Sequence, residues 1–360
     1  PAADDVAAGV ARAEDVLGLG LRLGVHRGHL RIIVDGPTVR RPGILRRMAA
    51  RALITGVGGQ DGSYLAEHLL ARGVEVVGIE RPGAASAVDG VTMVEADLSD
   101  ASSVIGAVEA VRPDRIFHLA AASFVPDSWL HPTPTVSMAT VSTSAFLDAI
   151  VNVDRSIRFF QAASAEVFGR PTETPQTENT PIAPITPYGA GKALALFLTR
   201  MYRERFDLHA STGILFNHES PRRPEQFVTR KVTRAAAAIS LGLESELRLG
   251  NLDAARDWSF AGDTVRGMVL MVESDKPGEY VLASGETHSI RQLLDLAFGH
   301  VGLDWGDYVV VDEQFNRPHE AVSICGDPTK AERELGWHRE VDFAGLVAMM
   351  VDADLASLQL

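Results

Sequence analysis

Residues 51–70 read R-A-L-I-T-G-V-G-G-Q-D-G-S-Y-L-A-E-H-L-L, an apolar stretch, a glycine turn and the opening of a helical pattern in that order. Gly56, Gly59 and Gly62 stand in G-x-x-G-x-x-G spacing. A backbone without Cβ atoms can turn tightly and let a pyrophosphate approach, and the N-terminus of the helix that follows suits the charge of that group. A strand, turn and helix of this kind is half of a βαβ unit. It commits the chain to a dinucleotide-binding α/β sheet if the alternation continues.

The alternation does continue. Strands are predicted over 52–55, 75–79, 115–119, 157–162 and 211–215, and helices over 63–71, 101–110, 135–150 and from Pro187 onward. This rhythm predicts an α/β fold of Rossmann type, a doubly wound and mostly parallel sheet with helices on both faces. From Asn217 the regularity lapses. Residues 217–231 concentrate turn formers, cations and hydrogen-bonding groups ahead of an Ala-rich helix, and 250–258 add a second polar turn. Together they predict a smaller C-terminal substrate-binding region over the carboxyl ends of the strands.

Three divisions are expected: an extension over 1–50 with no assigned role, a predominantly Rossmann region over 51–216, and a predominantly substrate-binding region over 217–360, with strand and helix exchange between the last two. Within the extension, 6–23 reads as an amphipathic helix, 29–35 as a strand and 39–51 as a basic segment.

Net charge is −13 over 360 residues, which argues against an extended nucleic-acid surface but not against an anionic small ligand held by local arginines. Cys325, the single cysteine, rules out an intrachain disulfide and argues against a cysteine-based structural zinc. No metal site is expected. No apolar run reaches transmembrane length on this reading, and the first residues lack the pattern of a secretory signal. A cytoplasmic protein without a membrane partner is the expectation.

Candidate chemistry comes from three places. Tyr188 and Lys192 lie four residues apart, hence on one face of a helix. A charged Lys192 near a nicotinamide ribose would favour the tyrosinate form of Tyr188, which takes a hydroxyl proton as hydride leaves the attached carbon. Ser164 and Glu166 follow the predicted strand at 157–162. If the extended geometry persists, alternation puts both on one side, Ser164 to bond a hydroxyl or oxyanion and Glu166 to remove a proton acidified by a neighbouring carbonyl. Oxidation, loss of water and return of the same hydride make one closed redox cycle, in which the cofactor is catalytic. Epimerisation through a keto intermediate, or a quiet sensor of nucleotide sugars, would use much of the same framework.

The third place is the cofactor pocket. Glu80, after the second predicted strand, suits an NAD ribose diol, whereas Arg81 suits the 2′-phosphate of NADP. Candidate cofactor contacts are Gly56, Gly59, Gln60, Asp61, Gly62, Glu80, Arg81, Asp97, Leu98, Leu119, Ala120, Tyr188 and Lys192. Ser123 is a candidate substrate contact. Arg256 and Arg317 are suited to a diphosphate through directed, charge-assisted bonds.

These segments resemble the extended short-chain dehydrogenase/reductase family and, within it, the GDP-mannose 4,6-dehydratases. The resemblance runs from about Arg51 nearly to the C-terminus and is carried by I-T-G-V-G-G-Q-D-G-S-Y-L at 54–65, F-Q-A-A-S-A-E-V-F-G at 160–169, P-Y-G-A-G-K at 187–192, I-L-F-N-H-E-S-P-R-R at 214–223, F-V-T-R-K at 227–231 and L-G-N-L-D-A-A-R-D-W at 249–258. It implies NADP as cofactor, with NAD as the alternative, and conversion of GDP-mannose to its 4-keto-6-deoxy derivative and water. It also implies Ser164 in place of a catalytic threonine, Glu166 as base, and Tyr188 with Lys192 as the tyrosine–lysine pair. Asn217, Val228, Lys231, Arg256, Arg317 and Glu320 fall on parts of that family's nucleotide-sugar site. Two departures stand out: the serine at Ser164, and Ala165, where the family carries a hydroxyl. Arg81-Pro82 replaces an arginine pair, and the segment before Val91 looks shorter than the family's tetramer-forming arm. The implied assembly is a homodimer through two helices, one bearing Tyr188, with a tetramer as the alternative.

Overall fold

The computed structural model describes residues 21–26, 29–34, 50–81, 83, 88–312, 314 and 324–359. The chain divides into two units, Pro1–Met48 and Ala49–Leu360. In the first, Leu21–His26 and His29–Val34 pair as an antiparallel hairpin with His26 opposite His29. The predicted strand at 29–35 is found, but Leu21 to Leu23, assigned above to a helix, are strand. L-R-L-G-V-H alternates with period two, and pairing with the next strand decides in favour of that period. The rest of the expected helix, and residues 39–49 of the basic segment, lie outside the described residues.

The second unit is built on seven strands: β1 (Arg51–Thr55), β2 (Glu75–Glu80), β3 (Thr92–Glu95), β4 (Arg115–His118), β5 (Arg158–Ala162), β6 (Ala210–Leu215) and β7 (Glu279–Leu282). Their order is β7-β6-β5-β4-β1-β2-β3 and every pair is parallel. The sequence does not announce β3 and β7, four-residue strands that each carry a glutamate at one end. Ala52, Leu53 and Ile54 in central β1 are fully buried, as expected where helices cover both faces. Alternation sorts them. Ala52 and Ile54 pack with Leu65 and Leu69 of α1 (Gln60–Ala71), whereas Leu53 packs with Val104 and Val108 of α2 (Ala101–Val111) and with Phe146 and Ile150 of α3 (Pro132–Val153).

The helix α3 corrects one expectation, because by length and composition it is apolar enough to cross a membrane. Interleaved Thr135, Thr140, Ser142 and Ser144 disguise it in the sequence. Each turns its hydroxyl back onto a carbonyl four residues earlier. On the sheet α3 packs beside α2 and α4 (Pro187–Phe206).

Residues 217–360 contribute β7 to the sheet, and α6 (Ala261–Glu273) to its α1 face through Met268, Val269 and Val272. They also form a separate core, in which α5 (Val228–Ser240), α7 (Ile290–His300) and α8 (Phe343–Leu358) enclose Trp258, Phe298 and Phe343. The strand Asn217–Glu219 pairs in parallel with Trp258–Phe260 and leads from β6 into this core. Strand order reverses between β1 and β4, which places a crevice at their carboxyl ends.

Candidate active site

A cavity of about 510 Å³ occupies that crevice, and the glycine turn forms one wall. Gly56 sits at φ 71°, and a Cβ there would come within 3.2 Å of the Ala120 backbone. Gly62 is tighter still, since a Cβ would lie 2.2 Å from the Gly56 carbonyl oxygen and force α1 off the turn. Leu119 and Ala120, immediately after β4, line the cavity with Gly59, Gln60 and Asp61. Ser123 does so as well and is exposed.

The strand β5 ends at Ala162, and the chain beyond it corrects the expectation of a continued strand. Residues 165–167 form a single 3-10 turn, in which the Ser164 hydroxyl accepts the Glu166 N–H at 3.3 Å. Ser164 and Glu166 both line the cavity because a turn places them there, not because a strand alternates. Thr186 caps α4 by accepting the Gly189 N–H at 3.0 Å, and its hydroxyl stands 3.5 Å from Glu166 Oε2. No Cβ would fit at Gly189, which lies against the Glu166 carbonyl oxygen. The start of α4 and the turn after β5 are thereby seated on each other.

Tyr188 and Lys192 project from the first turns of α4 into the same space. Lys192 is 5% exposed, its Nζ donates to the Ala162 carbonyl at 2.8 Å, and it lies 5.8 Å from the centre of the Tyr188 ring. Burial lowers the Lys192 ammonium to about 8 against the opposing pull of Asp61. Burial likewise raises the Tyr188 phenol to about 12, opposed by a hydrogen bond with Ser164 and by Arg223. The push toward tyrosinate therefore comes from Ser164 and Arg223, whereas Lys192 is turned onto a backbone carbonyl.

The opposite wall belongs to the C-terminal half. Asn217 is exposed on its short strand, and Val228 and Lys231 lie on the first turn of α5. Lys231 Nζ donates to the Arg248 carbonyl at 2.7 Å, and Arg256 lines the cavity from the pair Ala255–Arg256. Glu80, Arg81, Asp97 and Leu98 are not in the cavity wall. Glu80 ends β2 and Arg81 follows it, Asp97 and Leu98 follow β3, and Arg81 acts electrostatically on Asp97. Arg317 and Glu320 lie outside the described residues.

Several lining groups escaped the sequence reading: His218, Glu219, Arg223, Phe124 and Phe227. The first three stand within the N-H-E-S-P-R-R run, in which the sequence singles out Asn217 alone. Arg223 pairs with Glu219 at 3.1 Å and lies 3.6 Å over the Phe227 ring, which meets Phe124 edge to face across the cavity. Among the described residues, no three His, Cys, Asp or Glu side chains are gathered for a metal.

This sheet order, with the tyrosine and lysine on the helix that leads into β6 and an acid in the turn after β5, places the chain among the extended short-chain dehydrogenases/reductases. A UDP-glucose 4-epimerase of Thermus thermophilus, solved in complex with NAD, matches with a TM-score of 0.75 and 25% identity, covering 84% of this chain and 98% of that one. At the level of sequence the match is narrower. The profile of the GDP-mannose 4,6 dehydratase family matches residues 53–350. GDP-mannose 4,6 dehydratase 2 of Arabidopsis thaliana is 44% identical over 323 residues, 84% of this chain and 86% of that protein. The GDP-mannose 4,6-dehydratase of Sinorhizobium fredii is 42% identical over 341 residues, covering 86% and 97%. The chain belongs to the GDP-mannose 4,6-dehydratase family.

Proposed function

We propose that this protein is a GDP-mannose 4,6-dehydratase, an NAD(P)-dependent lyase that converts GDP-α-D-mannose to GDP-4-dehydro-6-deoxy-α-D-mannose and water. The observation that carries the reading is that the Glu166 carboxyl shares one cavity with Tyr188, Lys192 and the glycine turn. A carboxylate there adds elimination to what would otherwise be simple alcohol oxidation.

The turn fits a dinucleotide, because Gly56 and Gly62 leave out Cβ atoms that would fill the cradle or displace α1. Gly56, Gly59, Leu119 and Ala120 would hold the diphosphate half and Lys192 the nicotinamide ribose. NAD(P) supplies the hydride acceptor for C4 and the hydride donor for C6. Tyr188 takes the O4 proton while Ser164 bonds the same oxygen. Glu166 then removes the C5 proton and passes it to the C6 hydroxyl, which leaves as water. The proton taken at O4 balances the one added at C5. Arg256 and Lys231 are suited to the substrate diphosphate and nucleoside side, respectively. For the dinucleotide's remaining choice we favour NADP, with Arg81 on the 2′-phosphate, over NAD on Glu80.

We also infer a homodimer through α3 and α4, with a tetramer as the alternative. Leu194, Phe197 and Met201 on α4 are 37%, 40% and 56% exposed, a stripe at helical spacing. A cytoplasmic location without membrane or nucleic-acid partners completes the reading, supported by the single cysteine and the net charge of −13.

The test is incubation of the purified protein with GDP-mannose and each dinucleotide, read by product mass. Loss of one water without net NAD(P)H accumulation is expected, and Glu166→Gln should suppress it. Binding without turnover, or turnover only of another nucleotide sugar, would overturn the assignment.

A further inference from the structure

Between α1 and the Asn217–Glu219 strand lies an ion pair of residues 157 positions apart. His218 Nδ1 is 2.7 Å from the Phe216 carbonyl oxygen and its Nε2 is 2.9 Å from Asp61 Oδ2. A neutral imidazole has one N–H, so beside a carbonyl and a carboxylate it would leave one lone pair facing another. An imidazolium donates to both. Asp61 is held on its other oxygen by Gln60 Nε2 at 3.1 Å. That same amide reaches the His218 carbonyl at 3.0 Å, while Ser220 donates to Gln60 Oε1 at 2.8 Å. The seam therefore fixes both partners.

Burial opposes each charge, yet the attraction and hydrogen bond between them win, so the Asp61 carboxyl lies below its ordinary range and the His218 imidazolium above. Arg223 acts on both from the following loop, and on α4 Asp61 reaches Tyr188 and Lys192, with Glu166 also acting on Tyr188.

We infer that His218 is a fixed imidazolium whose task is to neutralise Asp61, and that this pair positions the dinucleotide by leaving no uncompensated carboxylate in the first turn of α1, beside the place where the cofactor diphosphate is held. His218 is thus a positioning residue that acts through Asp61. The inference rests on the reading of the cavity as an NAD(P) site. It goes beyond that reading in assigning a protonation state and a reason for it. With the cation gone, Asp61 repels the diphosphate and its field on Lys192 and Tyr188 loses its counterweight.

Three measurements decide it. Titration with NADP+ and NAD+ should show His218→Gln weakened by about tenfold or more, because a buried partner is left charged. Adding Asp61→Asn to that variant should recover most of the loss, since the repelling anion is removed. Equal impairment of the single and double variants, as a merely structural contact would give, overturns the inference. The third measurement needs no folded histidine variant. In 15N-histidine spectra of the wild-type protein followed upward in pH through the ordinary histidine value, one doubly protonated imidazole should persist above that value and be lost in Asp61→Asn. Its absence from the wild type overturns the inference. If the wild-type protein binds neither dinucleotide, the cofactor reading fails, while the imidazolium signal still reports on the pair.

Discussion

Thr55 Oγ1 lies 2.8 Å from His118 Nδ1 and accepts the backbone N–H groups of Leu119 and Ala120, each at 3.0 Å. With its acceptor side taken, the hydroxyl proton points to Nδ1. The other ring nitrogen, Nε2, then carries the histidine proton and donates to Ser142 at 2.8 Å, whose own proton goes to the Met138 carbonyl at 2.6 Å. One directed chain ties the ends of β1 and β4 to α3 and sets the cofactor-side wall. Thr55→Val keeps the shape and deprives buried His118 Nδ1 and the half-buried Leu119 and Ala120 N–H groups of their partner. It should cost about 1–3 kcal/mol of stability and weaken NAD(P) binding, as read by denaturant unfolding and dinucleotide titration.

The same histidine gives a pH prediction. Burial, with Lys192 nearby, lowers His118 to about 3 from an ordinary 6.5. Between those values the unfolded chain binds the proton and the folded one does not, so stability rises with pH there and is lost as pH falls below about 6.5. This group alone contributes a slope of up to about 1.4 kcal/mol per pH unit. Unfolding midpoints measured down the acid range should show it. His118→Gln, less stable at neutral pH, should show a shallower acid limb, and an unchanged slope would remove the assignment to His118.

Much of this site is legible in the sequence because its strongest signals are local. A spacing of four from Tyr188 to Lys192 suffices once the segment is helical, and Gly56 with its positive φ declares a backbone conformation on its own. Ser164 and Glu166 reach the cavity for a reason sequence cannot supply, since the end of β5 at Ala162 depends on pairing with β6. Longer range hides more. His218 meets Asp61 only because Asn217–Glu219 pairs with Trp258–Phe260, and nothing near either residue announces that partner.

Lys192 governs the alkaline side of activity. Its ammonium is lowered by burial from 10.5 to about 8, so the folded protein sheds a proton that the unfolded chain keeps between those values, and stability rises with pH across that window. Activity that needs the charged form moves the other way, falling as pH passes about 8. A profile of kcat/KM against pH should show that limb. In Lys192→Arg, whose guanidinium stays charged, the limb should vanish even though the rate is lower throughout.

Ser164 tests how much the hydroxyl matters apart from its methyl group. Its hydrogen bond with Tyr188 opposes the rise of the phenol toward about 12, so Ser164→Ala should lower kcat by about tenfold or more with KM and melting temperature little changed. Ser164→Thr restores a stiffer rotamer and should equal or exceed the wild type. A threonine variant as slow as the alanine variant would show that the turn at 165–167 cannot seat the extra methyl.

The last prediction links packing to the substrate wall. Arg230 on α5 pairs with Asp354 on α8 at 2.6 Å, with side chains 12% and 0% exposed, and Thr233 donates to the second carboxylate oxygen at 2.8 Å. Arg230 also donates to the Pro221 carbonyl, so one guanidinium holds α5 to both α8 and the loop after Asn217. Burial raises the Asp354 carboxyl, which makes the arginine necessary to it rather than merely favourable. Asp354→Asn should leave the cation buried without its counter-ion and cost about 3–5 kcal/mol, seen as a lowered unfolding midpoint. Because Val228 and Lys231 face the cavity from the first turn of the same α5, the loosened helix should raise KM for the nucleotide sugar more than it lowers kcat. Replacing both partners with apolar residues of similar volume should recover stability beyond the single variant, since the expense lies in the stranded charge. Recovery of KM alongside stability would show that α5 needs only to be held, whereas stability without KM would show that the guanidinium also orders the loop at Pro221.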